Sequence, residues 1–224
     1  MKAALVLFPG TNRETDMSDA LRRAGAEVVT AWHRDRELPA ADLVVLPGGF
    51  SHGDYLRCGA MAARAPVMAP IVESAGRGVP VLGVCNGFQI LIEAGLLPGA
   101  LLRNAGLRFV CRTVHLRLER RCRLSGHLDV GDVIRVPVAH GDGNYFADSD
   151  LAARLEDEDR VVFRYVPDGR GAGNPNGSTG DIAGIINRAG NVLGMMPHPE
   201  DATGPRQQSR DALPFFQGIV ESLS

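Results

Sequence analysis

Short β-branched runs alternate with helical patterns through the first half of the chain, and that alternation points to a parallel sheet with crossover helices. Residues 2–8 read as a buried strand. Thr11-Asn12-Arg13-Glu14 then fits a capping box, predicting a helix to about Ala24 that stops at Gly25. Residues 27–31 and 42–46 read as the second and third strands, the latter ending in Pro47-Gly48-Gly49. A helix is expected over 66–77, a fourth strand over 80–84, and a helix over 86–94 stopped by Gly95.

After Asn104 the pattern changes. Residues 108–118 alternate in period two, 133–139 do so less cleanly, and 161–166 are short and β-branched. Residues 182–186 and 191–196 flank Asn187-Arg188-Ala189-Gly190, which predicts a hairpin with a glycine-bearing loop. These strands either extend the same sheet or form a small flanking one. Residues 213–223 read as an amphipathic helix, and 168–180, rich in Gly, Asn and Pro, as one long loop. No repeat or linker divides the chain, so residues 1–224 are expected to form a single domain.

Composition removes several classes of function. A formal charge of -2 offers no basic field for nucleic acid and no polybasic patch for anionic lipid. Cys58, Cys85, Cys111 and Cys122 show no CxxC pair, which argues against a zinc site or a disulfide framework. The first apolar run is cut short by Pro9-Gly10, unlike a signal peptide, and no later run is long enough to span a bilayer. Free thiols in such a chain suit the reducing cytosol, so a cytoplasmic location is expected.

The strongest local signal is Val81-Leu82-Gly83-Val84-Cys85-Asn86-Gly87-Phe88-Gln89. A strand runs into a helix with Cys85 at the junction, as G-x-C-x-G, the thiol counterpart of a nucleophile elbow. The small flanking residues permit a sharp turn, and the helix N-terminus aims its free amides at the sulfur, favouring the thiolate. A buried cysteine at an ordinary strand end would share part of this pattern. A thiol nucleophile needs a base and a group to orient that base. His198 stands in Met196-Pro197-His198-Pro199-Glu200, where the following proline favours an extended backbone. Positions i and i+2 of an extended segment share a side, which places Glu200 to bond His198. His140, in a glycine-rich turn after a strand, is the rival base. For an oxyanion, the Gly48-Gly49 turn and the amide of Asn86 could supply two donors at the carboxyl ends of the strands.

Gly83-x-Cys85-x-Gly87-x-Gln89 with His198-Pro199-Glu200 resembles the class I (triad) glutamine amidotransferases. More narrowly, the chain is similar to the glutaminase subunits of phosphoribosylformylglycinamidine synthases. That narrower likeness rests on Phe8-Pro9-Gly10-Thr11-Asn12, on Pro47 through Arg57, and on Cys85 to Gln89 continuing to Gly95-Leu96-Leu97-Pro98-Gly99. It rests also on Pro137-Val138-Ala139-His140-Gly141 and on Asn174-Pro175-Asn176-Gly177-Ser178 with the hairpin that follows. The resemblance implies a three-layer α/β fold with a flavodoxin-like core, its mostly parallel sheet covered by helices on both faces, plus antiparallel strands in the C-terminal half. It implies Cys85 as nucleophile, His198 as base and later acid, and Glu200 as the orienting carboxylate. Gly49, beside Gly48, and Asn86 would donate amides to the oxyanion. Gln89 would recognise the amino-acid end of L-glutamine, and Ala139 to Gly141 would contact the same ligand by their backbone, which moves His140 from base to binding loop. His52 stands where Tyr is expected and Asp201 where Arg is expected, departures assigned to the rim or the partner surface.

Released ammonia needs an ATP-activated acceptor, yet Lys2 is the sole lysine, so a P-loop lysine is impossible. The resemblance implies a separate synthetase that uses ATP and Mg to convert formylglycinamide ribonucleotide to the amidine in purine biosynthesis. It also implies a small accessory subunit and no cofactor or metal in this chain. Three readings stand beside it: a glutaminase serving another pathway, a thiol-elbow hydrolase or stress protein, and a catalytically silent scaffolding subunit. The segment Gly53-Asp54-Tyr55-Leu56-Arg57 argues against the first. His-Pro-Glu near the C-terminus argues against the second, and the intact Cys85, His198 and Glu200 against the third.

Overall fold

In the computed structural model, which describes residues 1–169 and 173–224, the alternating half of the chain forms four parallel strands of a larger sheet. Strand β1 (Lys2–Leu7) leads to helix α1 (Glu14–Arg23) and to the edge strand β2 (Glu27–Trp32). Strand β3 (Leu43–Leu46), helix α2 (Met68–Gly76), strand β4 (Val81–Val84) and helix α3 (Asn86–Glu93) follow. The order is β2-β1-β3-β4, with each neighbouring pair parallel. The step from β1 to β2 runs opposite to the step from β3 to β4. Right-handed crossovers therefore put α1 and α2 on opposite faces. With both faces covered, β1, β3 and β4 are continuous apolar runs rather than alternating ones.

The later strands extend this same sheet, which resolves the alternative left open by the sequence. Strand β5 (Ala100–Leu102) pairs with β8 (Asn144–Phe146) in a separate two-stranded ribbon. Strands β6 (Val110–Leu118), β7 (Val133–His140), β9 (Val161–Val166), β10 (Ile182–Ile186) and β11 (Val192–Met195) continue the large sheet. Strand β11 lies parallel to β4, and the order then runs β11-β10-β9-β6-β7 with antiparallel pairings. The hairpin is the β10–β11 pair. Strand β7 alternates buried and open positions, as a half-covered antiparallel strand does. Helix α5 (Leu213–Ser222) closes the chain, burying Phe215, Phe216 and Ile219, and touches α1.

Two local expectations fail for identifiable reasons. Helix α1 begins at Glu14, and Thr11 does not cap it. Thr11 Oγ1 instead accepts the Phe8 amide at 3.0 Å, while the amides of Asn12 and Arg13 reach Gly48 O at 3.4 and 3.3 Å. Pairing with the glycine turn takes the residues that the capping box would use. Helix α4 (Ser149–Asp157) and the ribbon β5–β8 were not expected. Their strands are three residues long, and α4 buries Leu155 alone, so periodicity is too weak to announce them. Asp148 caps α4, its Oδ1 accepting the Leu151 amide at 2.8 Å. The loop read over 168–180 extends in part over residues 170–172, which lie outside the described residues; a short 3-10 turn ends it at Thr179–Asp181.

Helix α3 lies unusually close to the sheet. Gly83 of β4 and Gly194 of β11 are cross-strand partners. A Cβ at Gly194 would sit 2.1 Å from the Phe88 ring, and one at Gly83 would sit 2.5 Å from Leu91. Phe88 and Leu91 are fully buried through this approach, each contributing about 1.5–3 kcal/mol of transfer free energy. Gly194→Ala should therefore overpack this contact and destabilise the protein by about 1–3 kcal/mol. Urea unfolding checks it: a lower midpoint at unchanged m is expected, and an unshifted midpoint would show that the helix yields without cost.

Candidate active site

Strand β4 delivers Cys85 to the sheet's carboxyl edge in a conformation that few residues adopt, with φ 51° and ψ -106°. Strain of this kind costs about 1–3 kcal/mol and persists where surrounding structure enforces it. Here the Cys85 amide donates to Met195 O at 2.8 Å, and its carbonyl accepts from the Gln89 amide at 3.1 Å. A Cβ at Gly87 would fall 1.9 Å from Leu46 O, so only glycine lets the first turn of α3 pass the end of β3. Cys85 lies 5% exposed, with its Sγ 3.8 Å from Ala139 O. The first amides of α3 have no partner within the helix, and Cys85 is the residue that stands at that N-terminus.

His198 and Glu200 are buried together, at 2% and 0% exposure. His198 Nδ1 and Glu200 Oε1 lie 2.7 Å apart. His198 is extended, as its proline neighbour dictates, but Pro199–Ala202 is a 3-10 turn. The pair therefore meets across a turn rather than along one side of a strand, a correction to the i, i+2 argument. The His198 amide is anchored on Pro137 O of β7 at 2.9 Å, and Thr203 Oγ1 and Gln207 Nε2 both donate to Glu200 O. Burial pushes the imidazole pKa down, but Glu200 and then Cys85 outweigh it and hold it well above the ordinary value. Cys85 is thus an electrostatic neighbour of His198, while Nε2 has no hydrogen bond of acceptable geometry.

The glycine turn closes over the same cleft. A Cβ on Gly48 would meet His198 Cε1 at 2.7 Å, which places the turn against the imidazole. Gly49 has φ +155°, and a Cβ there would fall 2.7 Å from Gly10 O. A cavity of about 100 Å³ is lined by Gly49, Phe50, Asp54, Cys58, Cys85, Gln89, Phe109 and residues 139–142. Gln89 is tied in a chain of amides that sequence reasoning missed. Asn86 Oδ1 accepts the Ser51 amide, Asn86 Nδ2 donates to Gln89 Oε1 at 2.8 Å, and Gln89 Nε2 donates to Asp142 O at 2.8 Å.

His140 is excluded as a base on the thiol. Asn104 Oδ1 accepts the Gly143 amide and so must also accept from His140 Nδ1, at 3.0 Å. That leaves Nε2 as acceptor, facing Asn176 Nδ2 at 3.4 Å. Burial, and then the charge of His198, push His140 down to about 4, so it is neutral near pH 7. Cys58 lines the same cavity, but burial and the adjoining Asp142 and Asp54 carboxylates raise its pKa strongly, keeping it a thiol. The two departures are both partly buried. His52 adopts φ 53° with its ring edge-on to His33, and its amide bonds Pro9 O. Asp201 sits beside Glu200 with its side chain 16% exposed, 3.3 Å from Arg13, which also bonds Asp16. Among the described residues no group of three or more His, Cys, Asp or Glu is arranged to hold a metal ion, and no helix is long and apolar enough to cross a membrane.

A strained cysteine at a helix N-terminus, a buried His–Glu pair and a glycine turn over one cleft suit acyl transfer from an amide. Residues 1–213 match the model of the CobB/CobQ-like glutamine amidotransferase domain, and the chain belongs to the glutamine amidotransferases. Its relatives make the assignment narrower. A phosphoribosylformylglycinamidine synthase subunit PurQ from Mesorhizobium japonicum is 56% identical over 222 residues, spanning 98% of each chain. The subunit of the same name from Rhizobium etli is 57% identical over 226 residues and spans 100% of both. A chain in the structure of PurLQS from Thermotoga maritima superposes with a TM-score of 0.89 at 42% identity, over 100% of this chain and 99% of that one. It is with the PurQ subunits that this chain shares its whole length.

Asp201 makes a measurable prediction. Burial and the Glu200 carboxylate push it from 3.8 up to about 6, against Arg13 and His198, which hold it down. Its folded pKa thus exceeds the unfolded one, so the native state binds more protons between about pH 4 and 6 and stability falls as pH rises through that window. Asp201→Asn should remove the slope, raising Tm relative to wild type more at pH 7 than at pH 4. An equal Tm difference at both values would refute the linkage.

Proposed function

We propose that this chain is the glutaminase subunit of a phosphoribosylformylglycinamidine synthase, hydrolysing L-glutamine to glutamate and ammonia for a partner synthetase. The buried His198–Glu200 pair set against Cys85 is the observation that carries it. Cys85 gives its proton to His198 Nε2 and attacks the side-chain amide carbon of glutamine. The oxygen that becomes negative is held by the amides of Gly49 and Asn86, neither of which is used in a backbone hydrogen bond among the described residues. His198 then passes the proton to the departing nitrogen, and ammonia leaves behind a γ-glutamyl thioester on Cys85. Water, deprotonated by the same imidazole, attacks the thioester and releases glutamate and the thiol. Glu200 keeps the imidazole in one orientation and stabilises its charged form. Gln89 and the backbone of residues 139–141, including His140 and Gly141, receive the amino-acid end of glutamine, with Gly48 supporting the turn that carries Gly49.

In this reading residues 1–224 form one glutamine amidotransferase domain that needs no cofactor. ATP and Mg belong to the synthetase, which aminates formylglycinamide ribonucleotide in purine biosynthesis. The names of the relatives and the PurLQS assembly support a synthetase and a small accessory subunit as partners. The setting is the cytoplasm, without contact with nucleic acid or membrane.

Glutamine hydrolysis by wild type and Cys85→Ala, each alone and with the synthetase, ribonucleotide and ATP, tests the proposal. The wild type should be active, more so with its partner, and Cys85→Ala should lose about 10⁴-fold or more of that activity. Hydrolysis that survives the substitution, or is absent from every mixture, defeats it.

A further inference from the structure

The Asn174-Pro175-Asn176-Gly177-Ser178 segment has no part in the chemistry above, yet it lies folded against the cleft. Asn176 and Ser178 are buried, at 2% and 4% exposure, and so is Asn104, at 1%. Asn176 Nδ2 donates to Gly143 O at 2.7 Å and faces His140 Nε2 and the Tyr165 hydroxyl. Asn104 grips the same turn from the other side. Its Nδ2 donates to His140 O at 2.8 Å, its backbone amide to Gly141 O at 2.9 Å, and its Oδ1 accepts the Gly143 amide at 3.0 Å. The two asparagine segments are themselves joined, because the Ala105 amide donates to Asn176 O at 2.9 Å. Ser178 Oγ completes the set by donating to Asn176 Oδ1 at 2.6 Å.

The turn so held, residues 139–143, carries Ala139 O beside the Cys85 sulfur and Asp142 O on the Gln89 amide. We infer that Asn104 and Asn176 are positioning residues that clamp the 139–143 turn in the shape that receives glutamine, with His140 as the strut between them. This rests on the glutaminase reading proposed above. The clamp touches neither the sulfur nor the His198–Glu200 pair, so its loss should weaken glutamine binding far more than it slows the chemical step. Each asparagine satisfies several buried backbone groups, and leaving these unpaired is worth about tenfold or more in an equilibrium constant.

The test is steady-state glutamine hydrolysis by the chain in complex with its synthetase, for wild type, Asn104→Ala, Asn176→Ala and the double variant, each checked for folding by thermal melting. Each single substitution should raise KM for glutamine about tenfold with kcat within about threefold of wild type. The double variant should raise KM by less than the product, because both residues hold one turn. Should the alanine variants fail to fold, Ser178→Ala, which removes a single clamp member, should still raise KM by about threefold. Unchanged KM in folded variants, or equal losses in kcat and kcat/KM, overturns the clamp while leaving the glutaminase reading intact. Absence of hydrolysis in the wild type brings down both.

Discussion

The approach of helix α3 to the sheet is the constraint on which the cleft depends. Gly83 of β4 and Gly194 of β11 leave space on the face of the sheet that Phe88 and Leu91 fill, and Gly87 lets the helix pass within contact of Leu46 O. A chain brought from strand to helix over so short a distance must turn sharply, and the residue at the turn is Cys85, at φ 51°. The strain is enforced from both sides, by the Met195 carbonyl on one strand and the first turn of the helix on the other. The same closeness sets the orphan amides of α3 against the sulfur and opposite the 48–49 turn. Packing in the core thus fixes the position of a reactive atom at the edge.

The walls of the cleft are loops distant in sequence, and polar side chains hold them together. Ser51, Asn86, Gln89 and Asp142 form one continuous chain of amide hydrogen bonds across three segments. Gln207 does similar work behind the His198–Glu200 pair, its Oε1 accepting the amides of Thr203 and Gly204 at 2.6 Å while its Nε2 holds Glu200 O. Buried asparagine and glutamine suit this role because each side chain can serve backbone donors and acceptors together without adding charge. Each bond in such a network restrains the loops it joins, and losing a partner inside it is costly.

The parallel half of the fold was legible because buried strands and crossover helices leave strong, opposite periodicities. The meeting of Cys85 with His198 and Glu200 was legible because glycines permit a sharp strand-to-helix turn at Cys85 and prolines restrict the backbone on both sides of His198. The failures share a cause. Thr11 and Glu14 match a capping box, but the amides of Asn12 and Arg13 are drawn to Gly48, a partner more than thirty residues away that no local pattern announces. Asp201 was assigned to the rim or the partner surface, and its partner Arg13, far distant along the chain, supplies the charge that lets it lie beside Glu200. Asn104 gave no sequence signal at all. The Asn-Pro-Asn-Gly-Ser segment did, as one of the stretches that carry the resemblance within the loop read over 168–180, but its contacts with residues 140–143 appear only in three dimensions.

Two histidines near one sulfur show how environment separates roles that sequence leaves open. His198 and His140 are both buried, and burial alone would lower both. His198 faces a carboxylate at 2.7 Å and the Cys85 sulfur, so its cationic form is favoured. His140 faces the neutral amides of Asn104 and Asn176, which bond the uncharged ring as donor on one nitrogen and acceptor on the other. The charge on His198 then pushes His140 further down. One ring is equipped to carry a proton and the other to refuse it. A carboxylate placed where Asn104 stands would blur that separation, because it would favour a second imidazolium within reach of the first. The neutrality of Asn104 and Asn176 is therefore part of the electrostatics around Cys85, His198 and Glu200, although neither asparagine bonds any of the three.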